Sequence, residues 1–247
     1  MPTASAPQQR RPAGRERNAD WDEELSLSDR AYKILEELII TGELAPGSVL
    51  SESALIARLQ IGRTPIREAL QRLRFDGLVQ ILPRRGILIS EMNVQTQLKM
   101  LEVRRQLEGL VVRLAVARGT DSEREHFRAV ADRLEEAAEE GDGIAFMRVD
   151  REFNELLTTA AQNEFAHKAM GLMHGLARRF WFFYYEQVAD LPLCARLHAE
   201  IARAIADRNE AAAAAASDRL SDFIANFTRA ALDGRTRRPA TYGPRIR

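Results

Sequence analysis

Apolar side chains recur at helical spacing from the first structured part of the chain. Over residues 29–41, Ile34, Leu35, Leu38 and Ile39 fall on one face, and Gly42 stops the run. Glu43-Leu44-Ala45-Pro46-Gly47 then has turn chemistry, with Pro and Gly both pre-set for chain reversal. A second short helix is predicted over residues 52–59 with Ser51 as its N-cap. A third starts near Gly62-Arg63-Thr64-Pro65, where a proline is tolerated because first-turn N–H groups have no intrahelical partner. Its buried stripe is Ile66, Ala69, Leu70 and Leu73, and Gly77 ends it. The period then changes: residues 78–82 and 87–90 read as short strands flanking the basic turn Pro83-Arg84-Arg85-Gly86.

Beyond a polar link at 91–93 the pattern is helical throughout. Residues 95–118 place Val103, Leu107, Leu110, Val111 and Leu114 on one expected buried stripe. Ser122 and Glu125 have capping-box spacing at the start of the next helix. Further helices are predicted over 142–161, 164–187, 193–208 and 210–232, about six in all. No proline interrupts the chain between Pro83 and Pro192, and the alanine run 211–216 favours close helix packing. Phe180-Trp181-Phe182-Phe183-Tyr184-Tyr185 wraps around its helix, so at least two neighbours must meet it. Core packing is the default reading, with a ligand cavity or a dimer seam as alternatives.

The pattern therefore predicts a mainly α chain, with an N-terminal winged helix-turn-helix over 25–91 and an all-α helical bundle over 95–233. A disordered arm (1–24) and a loose basic tail (234–247) flank them. At 247 residues and 45% hydrophobic, the chain can bury a core for each unit. Its net charge of +0 excludes a wholly basic histone-like binder, yet charge is local. From Ser53 to Ser90 seven arginines face two acids, an excess suited to phosphate contact. The single Cys194 cannot form an internal disulfide, residues 1–20 contain no apolar signal core, and no run is long enough for a membrane span. These features lead to the expectation of a cytoplasmic, membrane-free protein.

The order helix, turn, helix, basic-tipped hairpin is that of a domain that inserts a helix into a duplex groove, here with Arg63 and Arg67 one turn apart at its leading end. Leu50-Ser51-Glu52, Arg63-Thr64-Pro65-Ile66-Arg67-Glu68-Ala69-Leu70, Gly77-Leu78-Val79 and Pro83-Arg84-Arg85-Gly86 occur in that order. Together they closely resemble the N-terminal domain of the GntR family of bacterial transcription regulators. The helical remainder resembles the FCD-type effector domain of the FadR subfamily. Val103-Arg104-Arg105-Gln106-Leu107-Glu108 is similar to that domain's opening, Asp150-Arg151-Glu152-Phe153-Asn154 to its aspartate motif, and Gln162-Asn163 to the following turn.

That resemblance implies a ligand-responsive regulator that binds a pseudo-palindromic operator in double-stranded DNA as a homodimer. Ser53, Arg63, Thr64, Arg67, Arg84, Arg85 and Gly86 are its expected DNA-contacting residues. The arginines can fork onto guanine or onto phosphate, and Thr64 can meet a phosphate or cap its helix. The family often has arginine where Ser53 stands and serine or threonine where Gly62 stands, so this chain has lost one DNA contact and one capping oxygen. In the bundle the resemblance implies an effector pocket at Arg104, Asp150, Asn154 and His198. Many relatives hold a divalent metal there through one aspartate and three histidines; only Asp150 and His198 remain, with Asn154 and Leu220 near the other two positions. Such a set is a poor one for a transition metal, and no cofactor is expected. The alternatives for these residues are an ordinary polar network or direct effector contact, and for Arg104 a salt bridge with Glu108 or an anionic effector. A small organic acid is the expected effector, with a lipid-like ligand as runner-up. A metal- or cysteine-dependent enzyme, using Cys194 with His198 four residues on, is the alternative from another class. No phosphate loop or nucleophile elbow supports it.

Overall fold

Ser26 opens the first helix: its side chain accepts the Asp29 amide, and α1 runs over Leu27–Ile40. The computed structural model describes residues 25–188 and 190–232, so the expected N-terminal arm and C-terminal tail lie outside the described residues. α1 buries Ala31, Leu35 and Ile39 against Ile66, Ala69, Leu70 and Leu73 of α3 (Arg63–Phe75). Between them, α2 (Glu52–Leu59) starts at Ser51, which accepts the Ala54 amide as predicted, and ends on Gln60 in the left-handed region. Gly62 precedes α3 with no side-chain cap, the consequence expected of a glycine there.

The wing is a three-stranded antiparallel sheet in the order β1-β3-β2, from β1 (Val49–Leu50), β2 (Val79–Leu82) and β3 (Gly86–Ile89). β2 and β3 form the predicted hairpin, with Val79 opposite Ile89 and Leu82 opposite Gly86. β1 was not anticipated, because two residues after a Pro-Gly turn carry no alternation to read. Its presence explains Gly86. That residue has φ +110°, and a Cβ on it would run into the Leu50 carbonyl oxygen of β1. The glycine is required by the sheet itself.

Six helices follow among the described residues: α4 (Val94–Arg118), α5 (Asp121–Glu139), α6 (Gly143–Ala160), α7 (Glu164–Val188), α8 (Leu191–Ala206) and α9 (Glu210–Leu232). Two local expectations are corrected. The capping box opening α5 uses Thr120 and Glu123, two residues earlier than Ser122 and Glu125; Thr120 has the extended backbone a cap needs, and both reciprocal bonds form. Of the expected stripe on α4, Val111 is buried and Leu107 and Leu114 pack against the core, with Val112, Ala115 and Val116 buried beside them, whereas Val103 is 56% exposed and Leu110 36%. Apolar residues occur all around this helix, so their spacing selects its face only in part. Its inner side also carries Gln97 and Glu108.

The bundle core is continuous from α4 through α9, centred on residues such as Phe127, Phe146, Phe153 and Ile205. Buried Arg124 ties helix ends together by donating to the carbonyls of Val116, Gly119 and Ile205. Ala213 and Ala216 sit on the buried side of α9, which packs on α4 and α8. The head has its own core, and Leu176 of α7 packs into it.

Gly86→Ala is expected to destabilise the protein by about 2 kcal/mol or more in urea unfolding, from strain plus the clash with β1. Gly141→Ala, also at positive φ but with nothing within 4 Å, is expected to cost about 1 kcal/mol.

Candidate nucleic-acid interface and effector cavity

The leading turn of α3 is presented to solvent. Arg63 and Arg67 are 68% and 60% exposed at their side chains, and both point their Nε at Glu52 of α2, at 3.1 and 2.9 Å. Ser53 and Thr64 lie exposed beside them, and the Ser53 hydroxyl shares a 3.0 Å hydrogen bond with Ser51. Arg84 and Arg85 are exposed at the hairpin tip, with Arg84 in the left-handed region and the Arg85 amide donating to the Leu82 carbonyl. The fold thus brings Ser53, Arg63, Thr64 and Arg67 to adjoining helix starts and holds Arg84 and Arg85 on the wing. Gly86, by contrast, faces β1. Glu52 falls one residue outside the basic window counted from the sequence. Ion pairs this exposed are worth at most about 1 kcal/mol, so phosphates can replace the carboxylate at little cost.

Within the bundle a cavity of about 300 Å³ lies between α4, α6, α7, α8 and α9. Phe146, Phe180, Trp181, Phe227, Ile224 and Leu220 give it an apolar wall; Arg104, Glu108, Asp150, Arg178, Cys194 and His198 are among its polar groups, and the more exposed Arg105 and Arg229 also line it. Three of the four predicted pocket residues, Arg104, Asp150 and His198, meet here. Asn154 lines instead a wider cleft of about 860 Å³ between head and bundle. Arg104 makes the Glu108 salt bridge, donating Nε and Nη2 to one carboxylate oxygen at 3.0 and 2.7 Å. It also lines the cavity, so the two roles foreseen for it are compatible.

Asp150 and His198 form a buried pair, with Nε2 to Oδ1 at 3.1 Å. The same Oδ1 accepts the Asn154 amide nitrogen at 3.1 Å, and the other ring nitrogen of His198 contacts the Cys194 carbonyl at 2.8 Å. Phe146 and Phe153 pack edgewise on the imidazole. Burial alone would favour the neutral ring. The Cys194 sulfur and the Asp150 carboxylate oppose it, and the ring is held well above its ordinary value. Burial pushes the Cys194 thiol up, so the carboxylate supplies the negative charge. Burial would likewise raise Asp150, but the His198 hydrogen bond and charge, with Arg178 and Arg104 beyond, hold it below the usual carboxylate range.

These residues do not fit a divalent metal. His198 spends one nitrogen on Asp150 and the other on a backbone carbonyl, Asn154 turns its amide N–H₂ toward Asp150, and Leu220 presents only carbon. Among the described residues no cluster of three His, Cys, Asp or Glu is arranged to hold an ion. Cys194 is also no activated nucleophile: it is buried, its sulfur is 3.8 Å from the His198 ring nitrogen, and its thiol is pushed up.

The residues that join head and bundle leave little trace in the sequence pattern. Glu36 of α1 is 3% exposed and is held by Arg178 of α7 and by Arg151 of α6, the latter at 3.1 Å. Arg179 donates to the Ser90 carbonyl at the end of the wing, and burial pushes its guanidinium down to about 10. His174, held neutral by burial with Arg104 and Arg178 nearby, has a buried Nε2 without a hydrogen-bond partner. One signal was available: Glu36 interrupts an otherwise apolar face beside Leu35, Ile39 and Ile40. The aromatic run divides between units, with Phe180 and Trp181 in the bundle core and Phe183 against Gly42 of the head.

Residues 27–89 match the model of the bacterial regulatory proteins of the gntR family, and residues 99–222 match that of the FCD domain. The Nta operon transcriptional regulator of Aminobacter aminovorans is 30% identical over 175 residues, covering 70% of this chain and 80% of that protein. The chain belongs to the GntR family of transcription regulators. The transcriptional repressor RspR of Escherichia coli is 26% identical over 183 residues, 74% of this chain and 80% of the relative. E. coli McbR/YncC has the same fold, with a TM-score of 0.72 at 19% identity over 84% of this chain and 99% of that one. As a GntR regulator with an FCD domain, the chain is a transcription regulator and no enzyme. No helix among the described residues is long and apolar enough to cross a membrane.

Dialysis against a chelator, or addition of zinc, is expected to leave the thermal midpoint unchanged; a shift of several degrees would mean that a metal resides here after all. Imidazole NMR is expected to find His198 titrating above the ordinary imidazole value and His174 below it. Because the folded value of His198 lies above the unfolded 6.5, its contribution to stability is complete below that pH. It drains away as pH rises through the folded value.

Proposed function

We propose that this GntR regulator binds a pseudo-palindromic operator as a homodimer and that a small organic acid in the bundle cavity modulates the binding. The observation that carries the DNA reading is the solvent-facing α3 start, where Arg63 and Arg67 lean on one exchangeable carboxylate beside the basic wing tip. Arg63 and Arg67 enter the major groove, Ser53 and Thr64 meet adjacent phosphates, and Arg84 and Arg85 reach the backbone or minor groove from the wing. Gly86 contributes by holding the wing on β1. Two-fold symmetry of the dimer then demands matching half-sites. Val103 and Leu110, exposed seven residues apart on α4, support a helix face covered by a second copy.

The effector reading rests on the cavity. Its volume, about 300 Å³, is at the low end for ligand pockets, which favours a compact acid over a lipid chain. Its aromatic wall suits an apolar body, and Arg104 and Arg178 are the more buried of the four arginines that line it. Asp150 and His198 neutralise each other and shape the floor, while Asn154 positions Asp150 from behind.

Selection of duplexes from random DNA is expected to yield an inverted repeat. On that duplex, Arg67→Ala is expected to weaken binding by about 1–3 kcal/mol in a mobility-shift titration with helicity unchanged. Unchanged affinity would remove Arg67 from the contacts. Leu110→Glu is expected to shift the sedimenting species from dimer to monomer and to weaken operator binding in parallel.

A further inference from the structure

Arg178 stands at a junction that the effector reading does not by itself explain. It lines the bundle cavity and also the cleft between head and bundle. One of its terminal nitrogens donates to Glu36 of the head, while its own Nε–H is buried with no acceptor at all. The residue is only 8% exposed, so this is an uncompensated donor on a desolvated cation at the cavity wall. Asp150, the carboxylate that also lines the cavity, feels the charge of Arg178 but is itself engaged by His198 and Asn154.

We propose that the anionic group of a cavity ligand is received by Arg178, and that the guanidinium exchanges its bond to Glu36 for one to the ligand, loosening α1 and with it the DNA-binding head. The proposal rests on the cavity being the effector site. Charge decides which ligands can work the exchange. Removing one partner from a buried ion pair is strongly unfavourable, so a neutral occupant cannot draw Arg178 away, whereas a carboxylate replaces the charge it removes. Glu36 is not stranded, because the Arg151 guanidinium stands 3.1 Å from its other oxygen, which accepts no hydrogen bond and is free to take one from it. The carboxylate is thus shared between two arginines, one facing the cavity, which gives the seam two arrangements that a ligand can bias. The contact is tight enough to transmit the change: a Cβ on Gly175 would lie 2.9 Å from Leu78 of the head and 3.4 Å from the Glu36 carboxylate. The occupant is a compact monocarboxylate with an apolar or aromatic body.

Benzoate and its neutral isostere benzamide are the probes, added at millimolar concentration to the full chain carrying Trp21→Phe. Trp181 in the cavity wall is then the sole tryptophan and reports occupancy by fluorescence. Amide hydrogen exchange of α1 reports the seam. Benzoate is expected to quench Trp181 and to speed exchange in the second half of α1 by at least about fivefold, the low end of allosteric coupling, while benzamide leaves α1 unchanged. Quenching by benzoate with α1 exchange unchanged would overturn the exchange mechanism and leave the cavity reading standing. An equal α1 response to benzamide would overturn the charge requirement. No quenching by either probe would overturn the cavity reading, and the exchange with it.

Discussion

A carboxylate buried between two separately packed cores governs this molecule. Glu36 belongs to the head by sequence and to the bundle by its partners, Arg178 and Arg151. A charge this buried is tolerated only while it is paired, so the two units are constrained to the relative placement that keeps the pair intact. Around it, Tyr32 donates to Asp76 and receives the Arg72 guanidinium on its ring, Arg148 pairs with Glu37, and Arg179 holds the end of the wing. α7 runs through all of this. One of its faces builds the cavity wall with Phe180 and Trp181, and another meets Leu78, Gly42 and Ser90 of the head.

The cavity follows a similar economy of charge. Where many relatives are expected to place a cation from solution, this chain has built one in: the His198 imidazole, raised by Asp150 and enclosed by two phenylalanine edges. The substitution of Asn154 and Leu220 at the other two positions is consistent with that internal pair. An imidazolium–carboxylate pair supplies local order without an open coordination position, and under the proposed function this leaves an anionic ligand to the arginines. The DNA side uses the opposite regime. Arg63 and Arg67 are solvated and share Glu52, which keeps them extended but leaves them exchangeable.

Much of this was legible in the residues, for identifiable reasons. The head helices carry clean periodicity and strong punctuation at Ser51, Gly62 and Gly77, and the wing hairpin is bracketed by Pro83 and Gly86. Most bundle helices could be delimited because Asp142 caps a real start and no proline intervenes for a hundred residues, whereas α8 begins at Leu191, ahead of the expected 193, with Asp190 as its cap and Pro192 accommodated in its first turn. The inward face of α4 could be read only in part: Leu107, Val111 and Leu114 do meet the core, but a cavity-lining helix also places Arg104 and Glu108 where a core-forming helix would place leucine. β1 is too short to show a period, and its close approach, with the positive φ of the turn, accounts for Gly86. The seam was hidden for a different reason: an ion pair joining residues 36 and 178 leaves no local pattern, only a glutamate out of place on an apolar face. Asp150 and His198 were found through resemblance, and their mutual pairing only through geometry.

The central claim is that the Glu36–Arg178 pair carries the state of the bundle to the DNA-binding head. A double-mutant cycle on operator affinity tests it most directly, with Glu36→Gln, Arg178→Gln and the combination titrated on one selected duplex. The account predicts that each single substitution weakens binding about tenfold and that the double variant is no weaker than either, a coupling of roughly 1.4 kcal/mol. Single variants that bind like the parent, or losses that simply add, would contradict it.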